Sequence, residues 1–460
     1  MLRLSFLRFG LILMIGLCLA AARPGAAAEP DDERLRALER EVAELRAAVA
    51  ELRNLGVAEE RLAEVERRLG LLAEEVEDLK LGEAAPAPPQ AGDGRAYGLG
   101  PAAAKVYRAD HGVSIGGYGE ALLQLYDDER DDGGASDRVD QFDFLRAVLY
   151  FGYKFSDSWV LNTEIEIEHA STSEGGSVSL EFAYLDYLYR DELNLRAGLV
   201  LLPMGWLNEL HEPTVFLGAT RPRTEQLIIP STWRENGIGA WGSLGAFDYR
   251  TYVVNGLDAS GFSAAGLRGG RQKGARAKAE DFAWTGRLDF TGVPGLTAGV
   301  AGYVGDSGQE LVDAGGEAIE VGTKIFDLHA EYRYRGLELR GLYARATLDD
   351  ADRLNQALGY SGVQSVGETL EGGYLQAGYD VLAGRGRSAL RPYLRWERLN
   401  TQQEVPEGWS ANPANDQTIL SLGLAYQPLE QLIFKAEYQN IDNEAGTGVD
   451  QFNLALGYIF

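Results

Sequence analysis

Cysteine is all but missing from this sequence. Cys18 is the only one, and it lies in an N-terminal stretch that reads as an export signal. The mature chain is therefore expected to hold no disulfide and no thiol chemistry, and to rely on burial and hydrogen bonding. Leu17 is too large for the position before a lipid-modified cysteine, so Cys18 is read as part of the leader. Histidine is scarce too: His111, His169, His211 and His329 are the only four, and none stands at metal-ligand spacing. After the leader no apolar run reaches the roughly 20 residues a membrane helix needs. Basic residues are outnumbered, giving a net charge of −26. That becomes about −29 once Arg3, Arg8 and Arg23 leave with the leader, a balance that argues against nucleic-acid binding.

What is present falls into four stretches. Residues 1–28 have the three parts of a secretory signal: Arg3 and Arg8, an apolar run from Phe9 to Ala22, and an A-x-A site at Ala26 and Ala28. Residues 29–81 carry two heptad seams, Leu35, Leu38, Val42, Leu45, Val49, Leu52 and then Leu62, Val65, Leu69, Leu72, Val76, Leu79. Charged residues flank both, as in a coiled coil. The seams are out of phase across Gly56-Val57, so a two-helix hairpin stands beside an oligomeric coiled coil as a reading. Residues 82–105 are rich in Ala, Pro and Gly and read as a linker.

Residues 106–460 read as strands. The last eleven are the clearest: Phe452, Leu454, Leu456, Tyr458 and Phe460 take one face, and Gln451, Asn453, Ala455 and Gly457 the other. Apolar residues toward lipid and small or polar ones toward a lumen is the pattern of a membrane strand. The same alternation gives sixteen candidates, starting near Val113, Gln141, Trp159, Val178, Leu193, Gly237, Phe247, Phe282, Leu296, Lys324, Leu337, Leu370, Leu390, Thr418, Leu432 and Asp450. Short links such as Arg190–Glu192 and Arg335-Gly336 alternate with long ones such as Asp127–Asp140 and Pro203–Asn236. A chain that spans a membrane without apolar helices must close into a barrel, because lipid satisfies no backbone polar group. The expected fold is an all-β transmembrane barrel of about 16 antiparallel strands, preceded by the helical coiled coil, and a barrel of that size leaves room for water. An even strand count puts both ends on the short-turn, periplasmic side of a bacterial outer membrane, so the coiled coil belongs in the periplasm.

Pointing the apolar parity at lipid turns charge inward. Glu164, Glu166 and Glu168 form a row, and Arg146, Arg196, Arg250, Arg287, Arg333, Arg340, Arg391, Arg395 and Lys435 face the same space. Arg or Lys on the lipid side would cost about 2–4 kcal/mol at mid-membrane. Such a lining selects ions by sign, or pairs across strands and holds the wall. The stretch Pro203–Asn236 holds Trp206, Leu207, Val215, Phe216, Leu217, Leu227, Ile228, Ile229 and Trp233, too apolar for an exposed loop. Folded against the inner wall it would bring Arg221, Arg223, Arg234, Glu209, Glu212 and Glu225 to a constriction facing Glu164 and Glu166. The alternatives are packing over the outer rim or in a trimer contact. The next long loop carries Arg268, Arg271, Lys273, Arg276 and Lys278, suited to anions or lipopolysaccharide phosphates, or simply solvated.

Enzyme motifs fail their structural tests. G-x-S-x-G at Gly112–Gly116 has no strand-to-helix turn after it. G-x-G-x-x-G at Gly237–Gly242 opens a strand and cannot cradle a phosphate at a helix end. No catalytic residue and no cofactor is expected. A barrel hydrolase would need a serine near His169 or His211.

Several segments carry a family resemblance: G-G-Y-G-E at Gly116–Glu120, D-Q-F-D-F-L-R at Asp140–Arg146, E-I-E-I-E-H at Glu164–His169, and the long stretches Leu195–Pro213 and Arg221–Glu235. Through them the chain resembles outer-membrane porins of the phosphate-selective porin O and P type. The resemblance implies a homotrimeric pore with an arginine-rich path for anions. The chain departs from that pattern in its net acidic barrel and its row of inward glutamates, and phosphate specificity is not carried over. Function is expected to be passive diffusion of small hydrophilic solutes or ions, anions such as phosphate among them, in contact with outer-membrane lipid and lipopolysaccharide. The alternative is a structural anchor tethering the outer membrane to peptidoglycan through the coiled coil.

Overall fold

The computed structural model describes residues 98–460 apart from Glu174. The signal peptide, the two heptad seams and the linker as far as residue 97 lie outside the described residues.

Sixteen antiparallel strands form one closed barrel. They are β1 (Gly112–Tyr126), β2 (Gln141–Lys154), β3 (Trp159–Glu168), β4 (Ser177–Arg190), β5 (Leu193–Leu201), β6 (Arg234–Leu244), β7 (Phe247–Asn255) and β8 (Phe282–Val293). The second half comprises β9 (Leu296–Gly305), β10 (Thr323–Tyr334), β11 (Leu337–Leu348), β12 (Thr369–Tyr379), β13 (Ala389–Glu404), β14 (Asp416–Leu429), β15 (Leu432–Asn443) and β16 (Gln451–Ile459). Each strand pairs with its sequence neighbours, and β1 pairs with β16 to close the wall. Two backbone bonds finish the seam: Gly117 N–H donates to Phe460 O at 3.1 Å, and Phe460 N–H to Gly117 O at 2.9 Å. No sheet edge is left unpaired, which lipid would not tolerate.

The outward face is apolar and uncovered. Ile238 is 62% exposed, Leu375 67% and Leu422 61%. A soluble sandwich would bury such residues, whereas a barrel in lipid does not. Aromatic pairs ring the short-turn end, among them Trp159–Tyr187, Phe247–Phe290, Tyr332–Tyr334 and Tyr426–Phe434. Trp284, Tyr343, Trp396 and Tyr438 stand outward toward the long-loop end. Two such girdles around an apolar band are what membrane interfaces select.

The inward face is buried by chain that folds into the lumen. The loop after β5 enters the barrel, with Leu202, Met204, Ile228, Ile229 and Trp233 fully buried. It contains a short helix, α2 (Arg223–Leu227). The loop after β7 adds Leu257, Ala259, Phe262 and Leu267, and the loop after β11 adds Leu354 from α3 (Ala351–Ala357). At the short-turn end the residues before β1 turn inward as well, through α1 (Lys105–Arg108). Leu99, Ala102, Ala103, Ala104 and Val106 are buried there. Within the stretch read from composition as linker, residues 98–105 thus pack against the wall, because the wall supplies the hydrogen bonds and space that so Ala-rich a segment lacks by itself.

Candidate functional site: a basic vestibule over a plugged lumen

The inward charges of the wall hold the β5–β6 loop by its backbone. Asp327 on β10 accepts Gly205 N–H at 2.9 Å, while Arg287 on β8 donates to Gly205 O. Glu397 on β13 accepts Thr224 N–H at 2.5 Å. Glu437 on β15 accepts Thr220 N–H at 3.1 Å and its hydroxyl at 2.7 Å. Lys435 donates to Gly218 O at 2.9 Å and sits 3.5 Å from the Phe216 ring centroid. Arg340, paired with Glu331, donates to Val215 O at 3.1 Å. A loop buried in a lumen needs partners for its N–H and C=O groups, and these side chains provide them.

The nine residues singled out from sequence separate into two groups. Four serve as internal anchors. Glu164 pairs with His211 Nε2 at 3.1 Å, and His211 Nδ1 is 2.9 Å from Asn208 O, so both ring nitrogens are engaged. Glu212 accepts N–H from Ala102 at 3.1 Å and Ala103 at 2.9 Å. Glu225 accepts from Trp206 N at 2.8 Å, Leu207 N at 2.6 Å and Tyr374 Oη at 2.6 Å. Arg196 forms a two-point bridge to Asp186 at 2.8 and 2.9 Å, lying 3.9 Å from the Tyr184 ring centroid.

Of the other five, Arg146, Glu166, Arg221 and Arg234 lie toward the long-loop end on the β1–β6 side, and Arg223 stands on α2 near Glu397 of β13. Arg146 bridges Glu120 at 3.4 Å and Glu166 at 3.3 Å. Arg234 pairs with Glu181 at 2.7 Å and donates to Ser179 at 3.1 Å. Arg223 is exposed, and Arg221 is half-buried with a guanidinium N–H to His211 O at 3.3 Å. From the β7–β8 loop Arg268 and Arg271 join them. Arg271 donates to the carbonyls of Thr232 and Arg268. Among the described residues, Arg221, Arg223, Arg268 and Arg271 form no ion pair with a carboxylate, and a guanidinium nitrogen of Arg268 is buried without a hydrogen-bond partner.

Crowding leaves a signature in this loop. Burial, then neighbouring Arg221, pushes Arg268 down to about 10. Burial, then Arg268 and Arg234, pushes Arg271 down to about 9. Arg221 is lowered in the same direction by burial and by Arg146. Like charges crowded together with carboxylates such as Glu181 beyond ion-pair distance form a site that an anion would relieve. Beneath it a row of rings, Tyr118, Tyr150, Phe182 and Tyr184, spaced 5.2 to 6.1 Å centroid to centroid, forms a buried floor.

Sequence reasoning placed Arg268 and Arg271 in a long external loop without choosing where that loop goes. The signal that it turns inward was available in Leu257, Phe262 and Leu267. The anchoring of Ala102 and Ala103 by Glu212 had no sequence signal. The two motif matches lie within strands, Gly112–Gly116 in β1 and Gly237–Gly242 in β6, and neither opens a helix. His169 pairs with Asp143 at 2.5 Å.

A relative makes the kinship concrete. An uncharacterized protein of Aquifex aeolicus (strain VF5) is 35% identical over 379 residues, covering 79% of this chain and 83% of that protein. The chain belongs to that protein's family. No family model matches it. Solved barrels align with 76% of this chain at low identity. They include an anion-selective porin from Comamonas acidovorans (12% identity, 99% of that chain, TM-score 0.49). The outer membrane channel DcaP of Acinetobacter baumannii aligns at 14% identity over 97% of its chain, with a TM-score of 0.48. Salmonella typhi OmpF, in complex with daunomycin, aligns at 12% identity over 98% of its chain, with a TM-score of 0.49.

Proposed function

We propose that this family member is an outer-membrane channel that admits small hydrophilic anions, phosphate-sized oxyanions included, down their gradients and without a catalytic step. The observation that carries the reading is the group Arg221, Arg268 and Arg271, three neighbouring cations with no ion pair to a carboxylate among the described residues. A narrow, low-dielectric passage focuses the field of such a group and raises the local anion concentration. Arg146 and Arg234 carry the positive lining onto the wall, where Glu120, Glu166 and Glu181 pair with them. The apolar belt and its girdles support placement in a bacterial outer membrane with lipopolysaccharide around the rim. A homotrimer of the porin O and P type, joined in the periplasm by residues 29–81, extends the same reading.

The test is the reversal potential of the reconstituted protein in a salt gradient. Arg221→Gln with Arg268→Gln should move the preference from anions toward cations. An unchanged reversal potential would refute the vestibule as the selective element.

One observation favours a second reading. Residues of the β5–β6 and β7–β8 loops are buried inside the barrel, as expected of a barrel that serves as an anchor rather than a path. In that case residues 29–81 would tether the outer membrane to peptidoglycan. Deleting them would then release the envelope attachment, while a channel would still conduct.

A further inference from the structure

The segment leading into β1 is fitted to the short-turn mouth from several sides. Its N–H groups at Ala102 and Ala103 are taken by Glu212 of the β5–β6 loop. Asn162 on β3 donates to Ala103 O at 3.0 Å. The Tyr107 hydroxyl donates to Asp186 on β4 at 2.7 Å and accepts from Arg196 on β5 at 3.1 Å. Lys154 on β2 donates to Ala109 O at 2.8 Å.

Glycines make the space. A Cβ at Gly152 on β2 would fall 2.5 Å from a Val106 methyl, and one at Gly100 would fall 2.5 Å from the Glu212 carboxyl carbon. Gly98, at φ +77°, passes beside the Arg250 guanidinium, where a Cβ would stand 2.5 Å from its nitrogen. A side chain at Gly152 would press on Val106, while at Gly98 and Gly100 the ends of Arg250 and Glu212 would have to move aside.

Yet the segment is not part of the wall. It adds no strand to the barrel, and it buries Leu99, Val106 and Tyr107 together with three alanines against the wall. The groups it engages are the carboxylates of Glu212 and Asp186, the guanidinium of Arg196, the amide of Asn162 and the ammonium of Lys154. Asp186 and Arg196 stay paired with each other if the segment leaves, so withdrawal strands neither of those two charges.

We propose that Leu99–Arg108 is a removable stopper for the periplasmic mouth, so that solute passes only while the segment is withdrawn. The proposal rests on the channel reading and adds where that channel is closed. The stopper covers the β1–β7 half of the mouth. The β5–β6 loop, held by Arg340, Glu437 and Lys435, covers the rest and stays in place. Opening therefore means movement of a tethered peptide rather than of the barrel.

A disulfide lock tests this on the full mature chain. Val106→Cys with Gly152→Cys places two Cβ atoms about 2.6 Å apart, so a shift of about 1 Å reaches bridging distance. In planar bilayers the oxidised pair should conduct at least about tenfold less than the same protein after reduction. Should the bridge not form, Ala103→Cys gives an independent readout. Buried in the docked state, it should react with a membrane-impermeant thiol reagent faster in the clamp-weakened variant Glu212→Ala/Tyr107→Phe than alone. Equal conductance before and after reduction, or equal labelling rates, would overturn the stopper and leave the channel standing. Silence of locked, reduced and clamp-weakened proteins alike, with insertion verified, would overturn both.

Discussion

At the scale of single residues, the same charge type does different work according to what stands beside it. Arg146 and Arg234 have carboxylates within 3.4 Å, so truncating either removes a pairing as well as a field. Arg221 and Arg223 have none, so their loss should alter selectivity with little effect on folding. Arg221→Gln with Arg223→Gln is therefore expected to shift the reversal potential toward cations while the thermal unfolding of the barrel stays put. Glu225 is the contrast. Three donors converge on its carboxylate, and Glu225→Ala leaves them in a dry interior at about 1–3 kcal/mol for each unsatisfied group. Its unfolding midpoint, followed by heat-dependent gel mobility, should fall clearly below that of the parent.

Glu212 adds a dependence on acidity. Burial raises its carboxyl to about 7, against the opposing pull of the Ala103 and Ala102 N–H groups and of nearby His211, with Glu164 adding to the rise. A carboxyl raised in the docked state holds its proton better there than when solvated. Docking of residues 99–108 is thus firmest below the ordinary carboxyl range and loosens as pH climbs through about 7. The rate at which Ala103→Cys is labelled should increase across that interval, and Glu212→Gln should flatten the profile.

At the scale of elements, the strands were legible in the chain because alternation is local. Fourteen of the sixteen starting positions expected from the sequence fall within a residue of the observed ones, as at Gln141, Trp159, Leu193, Phe247 and Leu432. β6 is the largest departure. It starts at Arg234 rather than near Gly237, because Arg234 and Glu235 continue the ladder opposite Leu201 and Val200 before the glycine-rich alternation begins. The inward course of the β5–β6 loop was legible too, from apolar content no external loop would carry. What was not legible is which wall residue each loop amide meets. Thr220 and Glu437, or Thr224 and Glu397, lie about two hundred residues apart, and nothing in a one-dimensional pattern registers them. For the same reason Glu212 and Glu225 read as constriction charges, although both are spent on backbone N–H groups. The loop's attachment can be tested directly: Asp327→Ala should free Gly205 and raise proteolytic nicking between residues 203 and 233 without opening the wall.

At the scale of the whole molecule, a closed wall with an uncovered apolar outside is stable only in lipid, and a lumen filled by chain conducts only if part of that filling moves. Leu375 is 67% exposed on the outer face. Leu375→Arg should cost about 2–4 kcal/mol of folding stability in bilayers, and little of it in detergent, where the head of the side chain reaches water. The mobile part is assigned to the chain before β1, and the selective part to the arginines above the aromatic floor. Single-channel recording of the purified mature protein in a planar bilayer, under a salt gradient, meets both assignments at once. Stepwise conductance with a reversal potential of the anion sign is the result expected. A silent bilayer from the parent and from the clamp-weakened variant alike, despite verified insertion, would contradict the account and leave the barrel as an anchor.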